Sequence, residues 1–135
     1  MARGRLSVLD TVECLLLLSQ AQFGRVAVTV VARPEIFPVY FCLMDGDIVF
    51  RTGAGTKLYA VATGAVVAFE ADEFDPRALS GWSVMVTGPC SGERNPAKVA
   101  EARRRLPDGW VPGGHDHIVR ITPHKISGRR IEAGA

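Results

Sequence analysis

The sequence predicts a mainly β fold with helices: an antiparallel barrel of six or seven short strands, two longer helices and one short helix. Three observations carry that expectation. β-Branched, alternating runs recur along the chain, turn signals separate them at regular spacing, and two long stretches combine a capping residue with helical character.

Asp10 and Glu13, three residues apart, form a capping-box pattern. The helix they open carries Val12, Leu15, Leu16 and Leu18, leucines that suit a core face, and ends between Gln20 and Gly24. Residues 1–7 read as a flexible arm ahead of one domain, residues 8–135. From Gly24 the period becomes two. Residues 25–31 form a strand, residues 33–35 a turn, and residues 36–44 a second strand. Pro38 cannot donate to a ladder, so it marks an edge, a bulge or a place where a ligand replaces a strand. Asp45 and Gly46 suit a type I′ hairpin, and residues 48–50 continue as the third strand.

Beyond Gly64, residues 65–71 form a fourth strand and residues 72–80 a polar loop with Pro76. Residues 81–88 form a fifth strand that extends toward Ser91. Asn95 caps a second long helix and Pro96 sits in its first turn. Its cations, Lys98, Arg103, Arg104 and Arg105, lie mostly in the second half, where they suit the dipole and read as a solvated face. Residues 106–114 are a proline- and glycine-rich loop carrying Trp110. Residues 117–121 and 125–131 are the last strands, with a turn between them.

One stretch has the character of a ligand site. Arg51 and Thr52 leave the third strand, Gly53 and Gly55 loosen the backbone, and Thr56 caps a helix that starts at Lys57 and runs through Ala62. Exposed N–H groups, a helix start and nearby cations attract a phosphate. The pattern matches neither a Walker A loop nor GxGxxG, and an ordinary hairpin exit before a solvated helix start fits the same residues.

The 135 residues suit one domain, and 47% hydrophobic composition excludes a disordered chain. A net charge of +2 argues against nucleic-acid binding driven by overall charge. No segment approaches the roughly 20 apolar residues of a membrane span, so no membrane partner is expected. Cys14, Cys42 and Cys90 are widely spaced and odd in number, which argues against a disulfide framework and for the cytoplasm. No nucleophile–base pair is arguable, so no catalytic residue is named. His115 and His117 would share one face of a strand, but that spacing reads more readily as loop or edge histidines than as a metal site.

Several segments form an ordered series: 24–27 (GRVA), 37–39 (FPV), 47–52 (DIVFRT), 55–58 (GTKL), 81–88 (GWSVMVTG), 119–123 (VRITP) and 126–129 (ISGR). The series resembles the pyridoxamine 5′-phosphate oxidase-like family of split-barrel flavin-binding proteins, over about residues 8 to 131. The resemblance implies a six-stranded split barrel and a homodimer, with flavin mononucleotide (FMN) or a deazaflavin coenzyme in a cleft between subunits. It implies that Phe37, Pro38, Val39 and Tyr40 run along the flavin ring, and that Arg51, Thr52, Thr56 and Lys57 contact the phosphate. It places Trp82 and Ser83 where a partner strand approaches the ring, and Arg129 at the site's border. Trp82 reads equally as a core tryptophan, and Tyr40 stands where many relatives carry asparagine, so the ligand wall differs there. The expected function is an oxidoreductase passing hydride to or from an unidentified small molecule. The alternatives are a non-catalytic flavin or haem carrier of the same fold, and a scaffold with an empty cleft. The family's C-terminal segment, whose arginine and histidine hold the substrate phosphate, has no counterpart before Ala135, so oxidation of pyridoxamine 5′-phosphate itself is not expected.

Overall fold

The computed structural model describes residues 4–53, 56–107 and 117–134, together with the backbone but not the side chain of Lys57. Gly55, Trp110 and His115 lie outside the described residues. The order is β1 (Arg5–Leu9), α1 (Thr11–Gln20), β2 (Phe23–Val30), β3 (Arg33–Met44), β4 (Asp47–Thr52), α2 (Lys57–Ala60), β5 (Thr63–Asp75), β6 (Ser80–Gly92), α3 (Pro96–Arg105), β7 (His117–Ile121) and β8 (Lys125–Glu132). None of the described helices is long and apolar enough to cross a membrane.

Six strands close an antiparallel barrel in the order β6-β5-β2-β3-β4-β7 and back to β6, while β8 and β1 extend from β6 as two extra strands. The split lies within β6. Gly81 to Thr87 pair with β8, and Cys90 to Gly92 pair with β7. Between them stands Gly88, where any side chain would collide with the Thr122 carbonyl as the chain crosses from β7 to β8. The Thr122 N–H donates to the Pro89 carbonyl (3.1 Å) and the His124 N–H to the Thr87 carbonyl (2.9 Å), which satisfies the backbone at the fork.

The barrel interior is filled from alternating positions. Val26, Ile48, Phe50, Phe69, Val84, Val86, Val119 and Ile121 are fully buried, and Phe41 meets Phe69 edge-on at 4.7 Å. Each such side chain contributes about 1.5–3 kcal/mol by leaving water. Cys14 and Leu18 of α1 join this cluster, and Leu58 of α2 adds to it. A second cluster of Met44, Val49, Ala102, Leu106 and Ile118 seats α3 on the outside of β3, β4 and β7.

The local signals place the helices as expected. The Glu13 N–H donates to Asp10 Oδ1 (2.8 Å) and the Asp10 N–H to Glu13 Oε1 (3.5 Å). Asn95 Oδ1 accepts from the Ala97 N–H, with Pro96 in the first turn of α3. Asp45 and Gly46 both have positive φ, 53° and 82°, as a type I′ turn requires.

Several details differ. Val12 and Leu16, expected on the core face of α1, are exposed, and Cys14 and Leu18 are the residues it buries. Residues 5–7, expected within a flexible arm, form β1 together with Val8 and Leu9, because the outer edge of β8 accepts a partner and Leu9 reaches the core. The turn expected at residues 33–35 falls at Val31 and Ala32, since Val30 pairs with Arg33. Much of the loop expected at residues 72–80 is strand: β5 runs to Asp75 and pairs with β6 back to Ser80, leaving a short turn. On β5 this stretch is exposed at Glu73, Phe74 and Asp75, so no apolar alternation marks it, although Trp82 across from Glu73 reaches the core. The short helix stops at Ala60, two residues before its expected end.

Candidate functional site

β3 pairs with β4 only from Phe41 to Met44, so the segment holding Pro38 has no β4 neighbour on that side. A proline is tolerated there because no ladder hydrogen bond is asked of it. Alternation then separates the four β3 residues expected at the ring. Val39 is buried and Phe37 packs against the same cluster, while Pro38 is exposed and Tyr40 lies half-buried. Tyr40 meets Phe23 of β2 edge-on at 5.2 Å.

Arg51 lies beside Tyr40, one step past the Phe41–Phe50 pair. Its Nη2 donates to the Arg103 carbonyl at 2.9 Å, which ties the end of β4 to the last turn of α3. Thr52 is buried, and its hydroxyl lies 2.8 Å from that of Thr56. Thr56 Oγ1 donates to the Gly53 carbonyl (2.9 Å) and accepts from the Tyr59 N–H (3.0 Å). With the Thr56 proton on Gly53, Thr52 is the donor to Thr56. Both hydroxyl protons are then used inside the turn, and reaching a phosphate requires them to swing outward.

A cleft of about 620 Å3 opens beside Tyr40. Its walls are Ser19 and Gln22 at the end of α1, residues 40–43 of β3, and Arg104, Arg105 and Leu106 at the end of α3. That size suits a cofactor or a small ligand. Cys42 also lines it; burial raises its thiol pKa, against which Arg105 acts, while Glu101 adds to the rise. Arg104 and Arg105 read from the sequence as solvated. Only their position as consecutive arginines at a helix end hinted at a second role.

Trp82 and Ser83 point to opposite sides of β6. Trp82 is 8% exposed within the main core, in keeping with the core alternative. Ser83 lies on the outer face, paired with Asp72 of β5 and Arg129 of β8. Three strand steps, each roughly 4.8 Å, separate Tyr40 on β3 from Ser83 on β6. One chain therefore does not gather Tyr40, Ser83 and Arg129 around a single ring. His117 opens β7 opposite Thr52 and packs on Tyr59 with ring centroids 4.3 Å apart.

A family model described as pyridoxamine 5′-phosphate oxidase matches residues 10–130. The chain belongs to that family. Among similar members is an uncharacterised protein of Mycobacterium tuberculosis, 39% identical over 130 residues, 93% of this chain and 85% of the relative. A solved FAD-binding protein of Mycobacterium smegmatis is 38% identical, with a TM-score of 0.77 over 92% of this chain and 98% of its own. An FAD-binding protein of Mesorhizobium loti, 21% identical, shares the fold, with a TM-score of 0.83 over 96% of this chain and 98% of its own. The pyridoxamine 5′-phosphate oxidase fold thus accounts for the closed barrel, the fork in β6 and the two added strands.

Proposed function

We propose that this chain binds a flavin nucleotide and, as a homodimer, passes hydride between it and a small molecule. The observation that carries the reading is the cleft beside Tyr40, whose α3 wall is tied to the end of β4 by Arg51. Arg51, Lys57 and the turn of Thr52 and Thr56 take the phosphate, where a guanidinium offers a bidentate fork. Pro38 and Tyr40 border the ring from the outer face of β3. Phe37 and Val39 support that strand from the core side, and Trp82 braces β6 in the same way. Ser83 and Arg129 approach the ring from a second copy. A bound flavin supplies the hydride chemistry, so the chain's residues need only orient it and exclude water.

FMN or a deazaflavin follows from the family resemblance. The binding of FAD by the 38% identical Mycobacterium smegmatis protein supports a flavin dinucleotide in the same cleft. The homodimer is supported by the outer sheet face, where Phe74, Ile131 and Leu6 form one exposed apolar row across β5, β8 and β1, with Gly81 of β6 between. Three free thiols fit a reducing, cytoplasmic setting.

Absorption and mass spectrometry of the purified protein test the reading. A yellow protein carrying FMN or FAD supports it, and a colourless one that takes up only a deazaflavin changes the coenzyme. A Soret band replaces flavin by haem. A protein that binds none of these overturns the proposal.

A further inference from the structure

Val49 and Arg51 share the outer face of β4, the face on which α3 lies. Val49 belongs to the cluster that seats the helix, and Arg51 stands half-buried two residues further on. α3 brings little apolar surface to that seat: Ala102 and Leu106 are buried and Val99 is partly so. Near its start, Lys98 meets Asp45 at 3.8 Å, an exposed pair that holds weakly. The last turn has a gap in its ladder. The Arg103 carbonyl would accept from the N–H of residue 107, but that residue is Pro107 and has none. Arg51 Nη2 supplies the missing hydrogen bond at 2.9 Å. A charged donor at a helix C-terminus also suits the dipole.

We propose that Arg51 couples the phosphate corner to the α3 wall of the cleft: an anion held at Arg51 seats the last turn of α3, and its departure lets that turn lift. The inference rests on the phosphate assignment above and adds what the anion does to the fold. The shared part is the Arg51 side chain. Ordering a long side chain costs rotamer entropy, and the contact formed first meets that cost for the second. A guanidinium has five N–H donors, so one serves the Arg103 carbonyl while others face the anion. By reciprocity, seating the helix tightens the anion to the same degree.

Charge fixes the sign of the coupling. The C-terminal end of α3 carries about half a negative charge, which alone would push an anion away. Arg103, Arg104 and Arg105 in the same turn are full positive charges, and Arg51 beneath them is another. An anion therefore draws the turn down. In its seated position the turn closes one side of the cleft, where Arg104, Arg105 and Leu106 form the wall. The wall is firm once the phosphate is held and loose while the ligand enters. Cys42 pairs with Val49 and packs on the same cluster, so lifting the turn bares its thiol.

Limited proteolysis of the full chain tests the coupling, because trypsin cuts after Arg103, Arg104 and Arg105 only when that turn opens. Inorganic phosphate is the probe, potassium chloride at equal ionic strength the control, and cleavage at distant arginines the internal reference. Phosphate should slow the three cuts by about fivefold or more. Arg51→Met should speed them and lose the response. Ala102→Gly loosens the helix while leaving Arg51 in place, so its cuts should be faster but still slowed by phosphate. Cuts indifferent to phosphate, or an Arg51→Met protein that responds like the wild type, overturn the coupling whether or not a flavin binds. The absorption test above judges the flavin reading separately: protection by phosphate in a protein that binds no cofactor supports the coupling while that reading falls. If Arg51→Met does not fold, iodoacetamide labelling of wild-type Cys42 decides. Phosphate should slow it together with the cuts, and slowed cuts with unchanged labelling overturn the proposal.

Discussion

Gly128 of β8 turns its Cα toward the thiol of Cys14 in α1, and a methyl group built there would stand 2.6 Å from Sγ. The Ser83 carbonyl and a Leu9 methyl lie close behind, at 3.1 and 3.2 Å. The helix that completes the core is therefore fitted against one hydrogen atom. Gly128→Ala should cost about 1–3 kcal/mol of stability through overpacking. Cys14→Ala in the same chain should recover part of that loss. A double-mutant cycle in denaturant measures the coupling, and strictly additive losses would mean that the helix relaxes freely.

Arg51 and Lys57 carry the phosphate assignment. Replacing both by alanine should weaken flavin binding by about tenfold or more, since charge-assisted contacts contribute about 1.5–3 kcal/mol each. Fluorescence titration reads the change, and unaltered affinity would remove the phosphate from this corner.

Cys42 should report on the occupancy of the cleft. Cys14 and Cys90 are buried, and burial pushes the Cys90 thiol up to about 12. Iodoacetamide should reach Cys42 first, faster at higher pH because the thiolate is the nucleophile. Bound flavin should slow that reaction. Peptide mass spectrometry over time gives the order; early labelling of Cys90, or labelling of Cys42 untouched by flavin, would contradict the cleft's position.

The β2–β3 turn is a place where the chain has not taken its most stable residues. Val31 and Ala32 hold φ of 51° and 59°, a region that asparagine and glycine enter with less strain. Val31→Asn with Ala32→Gly should raise stability by about 0.5–2 kcal/mol. Thermal unfolding checks this, and a drop in melting temperature would mean that the turn has another geometry.

The features legible in the sequence were those decided locally. Asp10 with Glu13, Asn95 with Pro96, and Asp45 with Gly46 placed two helices and a hairpin because each signal satisfies its own neighbours' N–H groups or φ angles. β1 was not legible, because its partner lies more than a hundred residues away. The outer end of β5 was missed because Glu73, Phe74 and Asp75 are all exposed, so no apolar alternation marks it. At the site, alternation already implied that Phe37 and Val39 face away from Pro38 and Tyr40. The arginines at the end of α3 could not be placed, since nothing local says where a helix docks on a barrel.

The pairing of β1 with β8 also constrains the order of events during synthesis. Residues 5–9 leave the ribosome well before their partners, residues 128–132. The growing polypeptide must keep a short apolar segment waiting, and β8 itself cannot settle until β6 is in place. The hydrogen bonds between β1 and β8 therefore form only after everything between them has been made, which makes this edge a reporter that the intervening chain has folded.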